Sequence, residues 1–171
     1  MKIIYSTEKK KIISQLNEQY GISKLPYLLI KFGEDKLRIY SGSLSNDELN
    51  TLAANLIIET MGLYFAKTEK DGIRLTLDGI QVLKEQITKN LLELTDKQAE
   101  EWLRGFDLDI KRGRGFKILK NNNEFLGCGK STGDRITNFV PKERRAHTLH
   151  EDACIIQQTL NADLCILRAN H

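Results

Sequence analysis

The sequence predicts an α+β protein made of two successive units, residues 1–88 and 89–171. Up to about residue 88, segments of helical period alternate with short strand-like runs. Beyond that point, short β runs separated by Gly and Asn dominate. The length of 171 residues allows one domain or two small ones. We therefore expect an N-terminal α/β domain followed by a C-terminal small β-barrel or strongly bent sheet.

The first unit is predicted to contain three helices and four strands. Helices are predicted at 9–20, 46–59 and 78–87. Strands are predicted at 27–32, 36–40, 63–67 and 73–77. Ser45 or Asn46 can cap the second helix, and Asp71-Gly72 is the strongest hairpin signal in the sequence.

The second unit is predicted to open with a strand and a helix and to continue as short strands. Thr95-Asp96 can cap the helix at 97–103, and Gly105 ends it. Strands are predicted at 91–94, 115–120, 124–130 and 135–140. In the tail, 149–160 is compatible with a helix and 162–167 with a closing strand.

Positive charge concentrates between residues 111 and 145. This segment carries +7, so the rest of the chain carries −4 of the net +3. The clusters 111–115 and 141–145 lie on predicted loops, where Lys and Arg can bind phosphates. If both clusters share one edge of a small barrel, they form a continuous basic groove. The alternative is that each is an exposed charged loop with no ligand.

Four aromatic residues lie among these cations and could stack on unpaired bases, although inward packing is the commoner role of such residues. They are Phe106, Phe116, Phe125 and Phe139.

Other motifs give little support for catalysis. The run 127–130 has glycines and a lysine but not the spacing of a phosphate loop, and Cys128 has no base nearby in sequence. The only cluster resembling metal ligands consists of His147, His150, Glu151, Asp152 and Cys154, and a solvated segment is favoured over a metal site. We therefore predict no catalytic residue, no metal and no cofactor.

Several of these motifs together resemble a PUA domain over about 55 residues. They are Leu91-Leu92-Glu93-Leu94, the helix exit Leu103-Arg104-Gly105, Phe125-Leu126-Gly127-Cys128-Gly129-Lys130, and Pro141-Lys142-Glu143-Arg144-Arg145. The segment is similar to PUA units of archaeal proteins, of two-domain ribosome-biogenesis factors and of Nop2/Sun-like RNA cytosine methyltransferases. Segments 62–67 and 73–79 resemble the pre-PUA domain of the two-domain factors.

This resemblance implies a compact pseudo-barrel that binds RNA in a groove between its first helix and its later strands. The glycines at the matched positions 127 and 129 would let the strand bend or let RNA approach the backbone. The candidate RNA-binding residues are Arg104, Lys111, Arg112, Arg114, Lys117, Lys130, Arg135, Lys142, Arg144 and Arg145.

The resulting prediction is a non-enzymatic RNA-binding protein that acts on rRNA in ribosome biogenesis or RNA modification. Expected partners are rRNA or tRNA, with ribosome-assembly or RNA-modification proteins. The alternative is a specificity subunit that delivers tRNA or rRNA to a separate modification enzyme, and a third hypothesis is a small enzyme using the His147 cluster. With no signal-peptide pattern and only short apolar runs, we expect a cytoplasmic protein without a membrane partner.

Overall fold

The computed structural model describes residues 1–146, which form a mixed α/β protein with two sheets and four α-helices. The strands are β1 Lys2–Ile4, β2 Leu28–Phe32, β3 Lys36–Tyr40, β4 Leu63–Glu69, β5 Gly72–Leu75, β6 Leu91–Glu93, β7 Gly115–Asn121, β8 Glu124–Ser131 and β9 Ile136–Asn138. The helices are α1 Ser6–Tyr20, α2 Asn46–Asn55, α3 Leu77–Leu83 and α4 Asp96–Leu103, with 3-10 turns at Lys84–Gln86 and Lys142–Arg144. In this part of the chain, no helix is long and apolar enough to cross a membrane.

The first sheet is antiparallel and has the order β1-β2-β3-β4-β5. One face is covered by α1 and α3, and its core contains Leu16, Leu29 and Ile39. The predicted strands and helices of this unit are present. Strand β1 was missed because three residues are too few to show an alternating pattern.

Helix α2 is shorter than the predicted 46–59. It begins with a capping box between Ser45 and Glu48 and ends at Asn55. The apolar residues that extended the prediction are exposed, Leu56 to 59% and Ile57 to 98%. Their helical spacing therefore does not reflect a buried helix face.

The second sheet has the order β6-β7-β8-β9, and β6 pairs in parallel with β7. Helix α4 begins with a capping box at Thr95 and buries Trp102 completely. The indole Nε1 of Trp102 donates a hydrogen bond of 2.9 Å to the carbonyl oxygen of Leu126. Trp102 thus fixes α4 against β8.

Gly129 of β8 makes room for this tryptophan, whereas Gly127 is favoured by its φ of 128°. A Cβ on Gly129 would lie 2.8 Å from Cη2 of Trp102, and one on Gly127 would lie 3.6 Å from its Nε1. Both glycines are buried. Of the two roles expected for these glycines, approach of RNA to the backbone is wrong because both residues are buried, whereas the φ of Gly127 and the register shift between β7 and β8 fit a bend in the strand.

The two sheets share one hydrophobic core. Phe116, Ile118 and Cys128 of β7 and β8 belong to the same buried cluster as Tyr20 and Ile73. The Tyr20 hydroxyl donates a hydrogen bond of 2.6 Å to the carbonyl oxygen of Ile73. The units predicted from sequence are consequently in close contact.

Two predictions for the tail lie outside the described residues. These are the helix at 149–160 and the strand at 162–167. The His147, His150 and Cys154 cluster also lies outside them.

Candidate nucleic-acid interface

The exit of helix α4 forms one end of the candidate interface. Gly105 has φ of 91°, which an L-residue with a side chain rarely adopts. A Cβ at this position would collide with the Arg145 side chain. Arg145 donates from Nε to the carbonyl oxygen of Val140 at 3.1 Å, while the amide of Ala146 donates to the carbonyl oxygen of Leu103 at 3.0 Å. The chain around Arg145 is thereby fixed against the helix exit.

Segment 105–112 leads from this exit along β9. Leu108 and Ile136 exchange backbone hydrogen bonds of 3.0 and 2.8 Å. Asn138 donates from Nδ2 to the carbonyl oxygens of Trp102 and Phe106, at 2.7 and 3.0 Å. The backbone at Phe106 is therefore fixed, while its side chain is 59% exposed.

The loop 111–114 forms the other end of the interface. The Arg112 amide donates to the carbonyl oxygen of Gly133 at 2.9 Å, and the Arg112 carbonyl accepts from the Ser131 hydroxyl at 3.0 Å. Arg114 donates from Nε to the carbonyl oxygen of Thr132 at 3.1 Å. Three hydrogen bonds thus hold this loop against the turn that follows β8.

Most of the predicted cations outside this loop have partners of their own. Arg104 pairs with Glu100 at 3.0 Å, and Arg135 contacts Asp107 and Asp109 at 3.3 and 3.6 Å. Among the described residues, no carboxylate lies within salt-bridge distance of Lys111, Arg112, Arg114 or Lys142.

The predicted RNA-binding residues divide into an exposed and a partly buried group. The exposed residues are Arg104, Lys111, Arg112, Arg114, Arg135 and Lys142. The partly buried residues are Lys117, Lys130, Arg144 and Arg145. Arg144 makes two contacts with the Asp78 carboxylate, of 2.6 and 3.2 Å, and Lys117 donates to Asn90 at 2.7 Å.

Lys130 is held by Asp71 in the turn between β4 and β5, at 2.5 Å. This hydrogen bond is the main reason why the pKa of Lys130 is raised and that of Asp71 is lowered. Lys130 also lies 5.5 Å from the ring centroid of Phe116. Its charge is therefore engaged within the protein.

The two basic clusters do not lie side by side. The cluster at 141–145 meets the helix exit at Gly105, whereas the cluster at 111–115 meets the turn at Gly133. Segment 105–112 connects them. Phe106 and Arg135 are the exposed residues of the candidate interface that lie between the two ends, on or paired with this segment.

The four aromatic residues predicted to lie among the cations differ in their exposure to solvent. Phe116 is buried in the core, while Phe125 and Phe139 are half-buried. The ring of Phe139 lies 4.5 Å from the Arg74 guanidinium, measured from its centroid. Phe106 is the exposed member of the four. Nothing in its sequence pattern distinguished it, because its exposure follows from the irregular path after Gly105.

Cys128 is not an activated nucleophile. Burial raises the pKa of its thiol to about 12, so the thiol is protonated at neutral pH. Its role in the described structure is packing in the shared core.

Helix α4, β6 to β9 and the segment that joins α4 to β7 are together matched by one family model. The family model described as "Methyltransferase RsmF PUA domain" matches residues 89–146. The resemblance to a PUA domain linked to Sun/Nop2-like rRNA methyltransferases is thus confirmed.

Three relatives illustrate the similarity, and each is named "Ribosomal RNA small subunit methyltransferase F". The protein from Vibrio campbellii is 32% identical over 104 residues, which is 57% of this chain and 22% of the relative. The protein from Vibrio cholerae serotype O1 is 29% identical over 138 residues, 80% of this chain and 28% of the relative. That from Aliivibrio fischeri is 32% identical over 97 residues, 56% of this chain and 20% of the relative.

These relatives correct two predictions. The prediction of a non-enzymatic protein is wrong, because the relatives are named as methyltransferases, which are enzymes. The chain matches only 20–28% of the length of these three relatives, so its residues reveal nothing of chemistry carried by the rest of such an enzyme. The archaeal likeness is also not supported, since the relatives are bacterial.

Proposed function

We propose that this chain binds ribosomal RNA through its PUA domain and thereby serves methylation of the small-subunit rRNA. The observation that carries the proposal is the loop 111–114, which presents three exposed cations on a backbone held by hydrogen bonds. A loop held in this way loses little conformational freedom when it binds phosphate.

The contacts would extend from this loop along segment 105–112. Arg112 and Arg114 would bind phosphates, with Lys111 and Arg135 beside them. Phe106 would stack on an unpaired base, since its ring is exposed and its backbone is fixed. Arg104, Lys142 and Arg145 would contact the RNA near the helix exit, whereas Lys117, Lys130 and Arg144 serve internal contacts first.

We also infer the arrangement of the chain as two domains, 1–88 and 89–171, with the α/β domain first and the PUA pseudo-barrel second. Support comes from the change of sheet near residue 90 and from the bridge between Leu108 and Ile136, which extends the second sheet beyond β9. The likeness to the Vibrio cholerae protein covers more residues than the second domain contains. Part of the first domain therefore belongs to the same shared region.

The names of the relatives support rRNA as the ligand and RNA modification as the process. Action on small-subunit rRNA would place the protein in the cytoplasm with assembling ribosomal particles. Its protein partners would be those that meet the same rRNA during assembly.

The test is binding of a small-subunit rRNA transcript at several salt concentrations, using the full chain. The variant R112A/R114A removes two phosphate contacts, so affinity should fall about tenfold and the log–log salt slope should decrease by about 1.5. The control variant K10A/K11A removes the same charge from exposed positions of α1. Equal effects of the two variants would contradict a specific site at the loop.

A further inference from the structure

The first sheet has a second face, opposite the core, which we term the outer face. Cross-strand partners in an antiparallel sheet point to the same side. The register pairs Phe32 with Lys36, Lys36 with Lys67, and Lys67 with Arg74. These four residues form a row across β2 to β5 on the side away from the buried Leu37.

The neighbouring row carries an arginine between two aromatic rings. Ile30, Arg38 and Tyr64 are successive cross-strand partners. The Arg38 guanidinium lies 5.6 Å from the ring centroid of Phe32 and 5.8 Å from that of Tyr64. It also donates to the carbonyl oxygen of Gly62. Phe32, Arg38 and Tyr64 thus form a fixed group of flat side chains, which we term the aromatic platform.

The aromatic platform is accessible to solvent. Phe32, Arg38 and Tyr64 are each half-buried, and Lys36 beside them is exposed. Helix α2 lies toward the β1 edge of the sheet, where the side-chain amide of Asn50 donates to the Tyr5 hydroxyl at 2.9 Å. Ile30, in the same row as Arg38, is fully buried, whereas the three platform residues remain partly exposed.

The charge on the outer face is positive. Lys67 pairs with Asp35 at 3.1 Å, and Arg74 pairs with Glu69 at 2.9 Å. Within residues 1–146, Lys36 has no carboxylate at salt-bridge distance. The aromatic platform therefore lies beside positive charge that can bind phosphates. Aromatic rings next to positive charge are typical of surfaces that bind single-stranded nucleic acid.

The row also reaches the second sheet. Arg74, at its end, lies 4.5 Å from the ring centroid of Phe139, which follows β9. An RNA strand on the outer face would leave it next to the PUA domain. The face thus meets the PUA domain beside Val140, at the helix-exit end of the interface.

We propose that the aromatic platform is a second RNA-binding surface that stacks on unpaired bases of single-stranded RNA. Phe32 and Tyr64 supply ring surfaces, and Arg38 supplies a guanidinium plane on which a base can also stack. Lys36 and Lys67 contact the neighbouring phosphates. The inference rests on the proposed function in taking RNA as the ligand, but it uses none of the residues of the PUA domain.

The first experiment measures binding of the full chain to a fluorescently labelled, unstructured oligouridylate of about 12 nucleotides, a length that one single-strand site can hold. The variant F32L/Y64L keeps apolar side chains but removes both rings. Its affinity should be about tenfold lower, which corresponds to about 1.4 kcal/mol. The control Y5L removes an exposed tyrosine from another part of the same unit and should bind like the unchanged protein.

Comparison with R112A/R114A separates the two proposals. If F32L/Y64L binds as tightly as the unchanged chain while R112A/R114A binds weakly, the platform proposal is wrong and the proposed function stands. If F32L/Y64L binds weakly while R112A/R114A binds as tightly as the unchanged chain, the platform binds RNA and the loop does not. Unchanged binding in both variants would overturn both proposals.

Two further measurements distinguish a loss of RNA binding from a folding defect in F32L/Y64L. The change K36E affects an exposed residue and should lower both affinity and the salt slope. Ultraviolet cross-linking of the unchanged protein to the oligouridylate should label peptides containing Phe32 or Tyr64. Labelling confined to residues 89–146, together with unchanged binding by K36E, would overturn the proposal.

Discussion

The contact between Arg144 and Asp78 gives the sharpest prediction, because it decides between two roles for Arg144. The sequence assigned this arginine to RNA. In the structure its guanidinium binds both carboxylate oxygens of Asp78, at 2.6 and 3.2 Å. We predict that R144A lowers the stability of the protein and leaves RNA affinity within about twofold, since Asp78 offsets the charge.

The size of the effect follows from the geometry. Two unit charges about 4 Å apart attract by about 4 kcal/mol at an effective dielectric constant of about 20. Dehydration of both groups and ordering of the arginine side chain cancel much of this attraction. The side chains of Arg144 and Asp78 are 33% and 25% exposed, so solvent screens the remainder. A coupling energy of about 1–2 kcal/mol is expected, above that of exposed pairs.

The assay is a double-mutant cycle of urea unfolding with R144A, D78A and the double variant. Each single variant should lose about as much stability as the double variant loses, because either change already removes the contact. RNA binding of R144A is measured alongside. A coupling energy below about 0.3 kcal/mol, or a tenfold loss of RNA affinity in R144A, would refute this reasoning and return Arg144 to the RNA interface.

Four further predictions concern three buried groups. Y20F leaves the carbonyl oxygen of Ile73 without its 2.6 Å hydrogen bond and should cost about 1–3 kcal/mol in urea unfolding; no loss would show that water replaces the bond. Because burial raises the pKa of Cys128 from 9.0 to about 12, the native thiol should resist alkylation at pH 8, as read by peptide mapping, and labelling at the unfolded rate would contradict this. The contribution of the neutral Cys128 thiol to the free energy of unfolding is fully present below about pH 9. It should be lost as the pH rises toward 12. G129A should destabilise by about 1–3 kcal/mol, because its Cβ would lie 2.8 Å from Trp102, and a neutral result in thermal unfolding would mean that the tryptophan can move.

Local patterns explain why most elements were predictable. The turn at Asp71-Gly72 joins β4 and β5, and the Thr95 capping box starts α4, as their residue types indicate. These features depend on neighbours in sequence. The PUA resemblance was predictable for the same reason, since its motifs are short and contiguous.

Features set by distant contacts were not predictable. The parallel pairing of β6 with β7 depends on the path of the chain through α4 and segment 105–112. Arg144 belongs to the basic cluster 141–145, whose sequence suggests an exposed loop. Its partner Asp78 is 66 residues away in sequence. Likewise, the arrangement of Arg38 between Phe32 and Tyr64 arises only when three strands pair in the observed register. The alternation of polar and apolar residues at 36–40 predicted strand β3, but it did not predict that the rings of Phe32 and Tyr64 lie beside Arg38.

The core shared by β5, β7 and β8 has a consequence for cooperativity. Phe116 and Ile118 are buried among residues of the first sheet, so separating the two sheets would expose apolar surface on both. Unfolding should therefore occur in one transition, and slowly exchanging amides in β5 and β7 should have similar protection. The two domains proposed on either side of residue 88 would then differ in sheet but unfold together as a single thermodynamic unit.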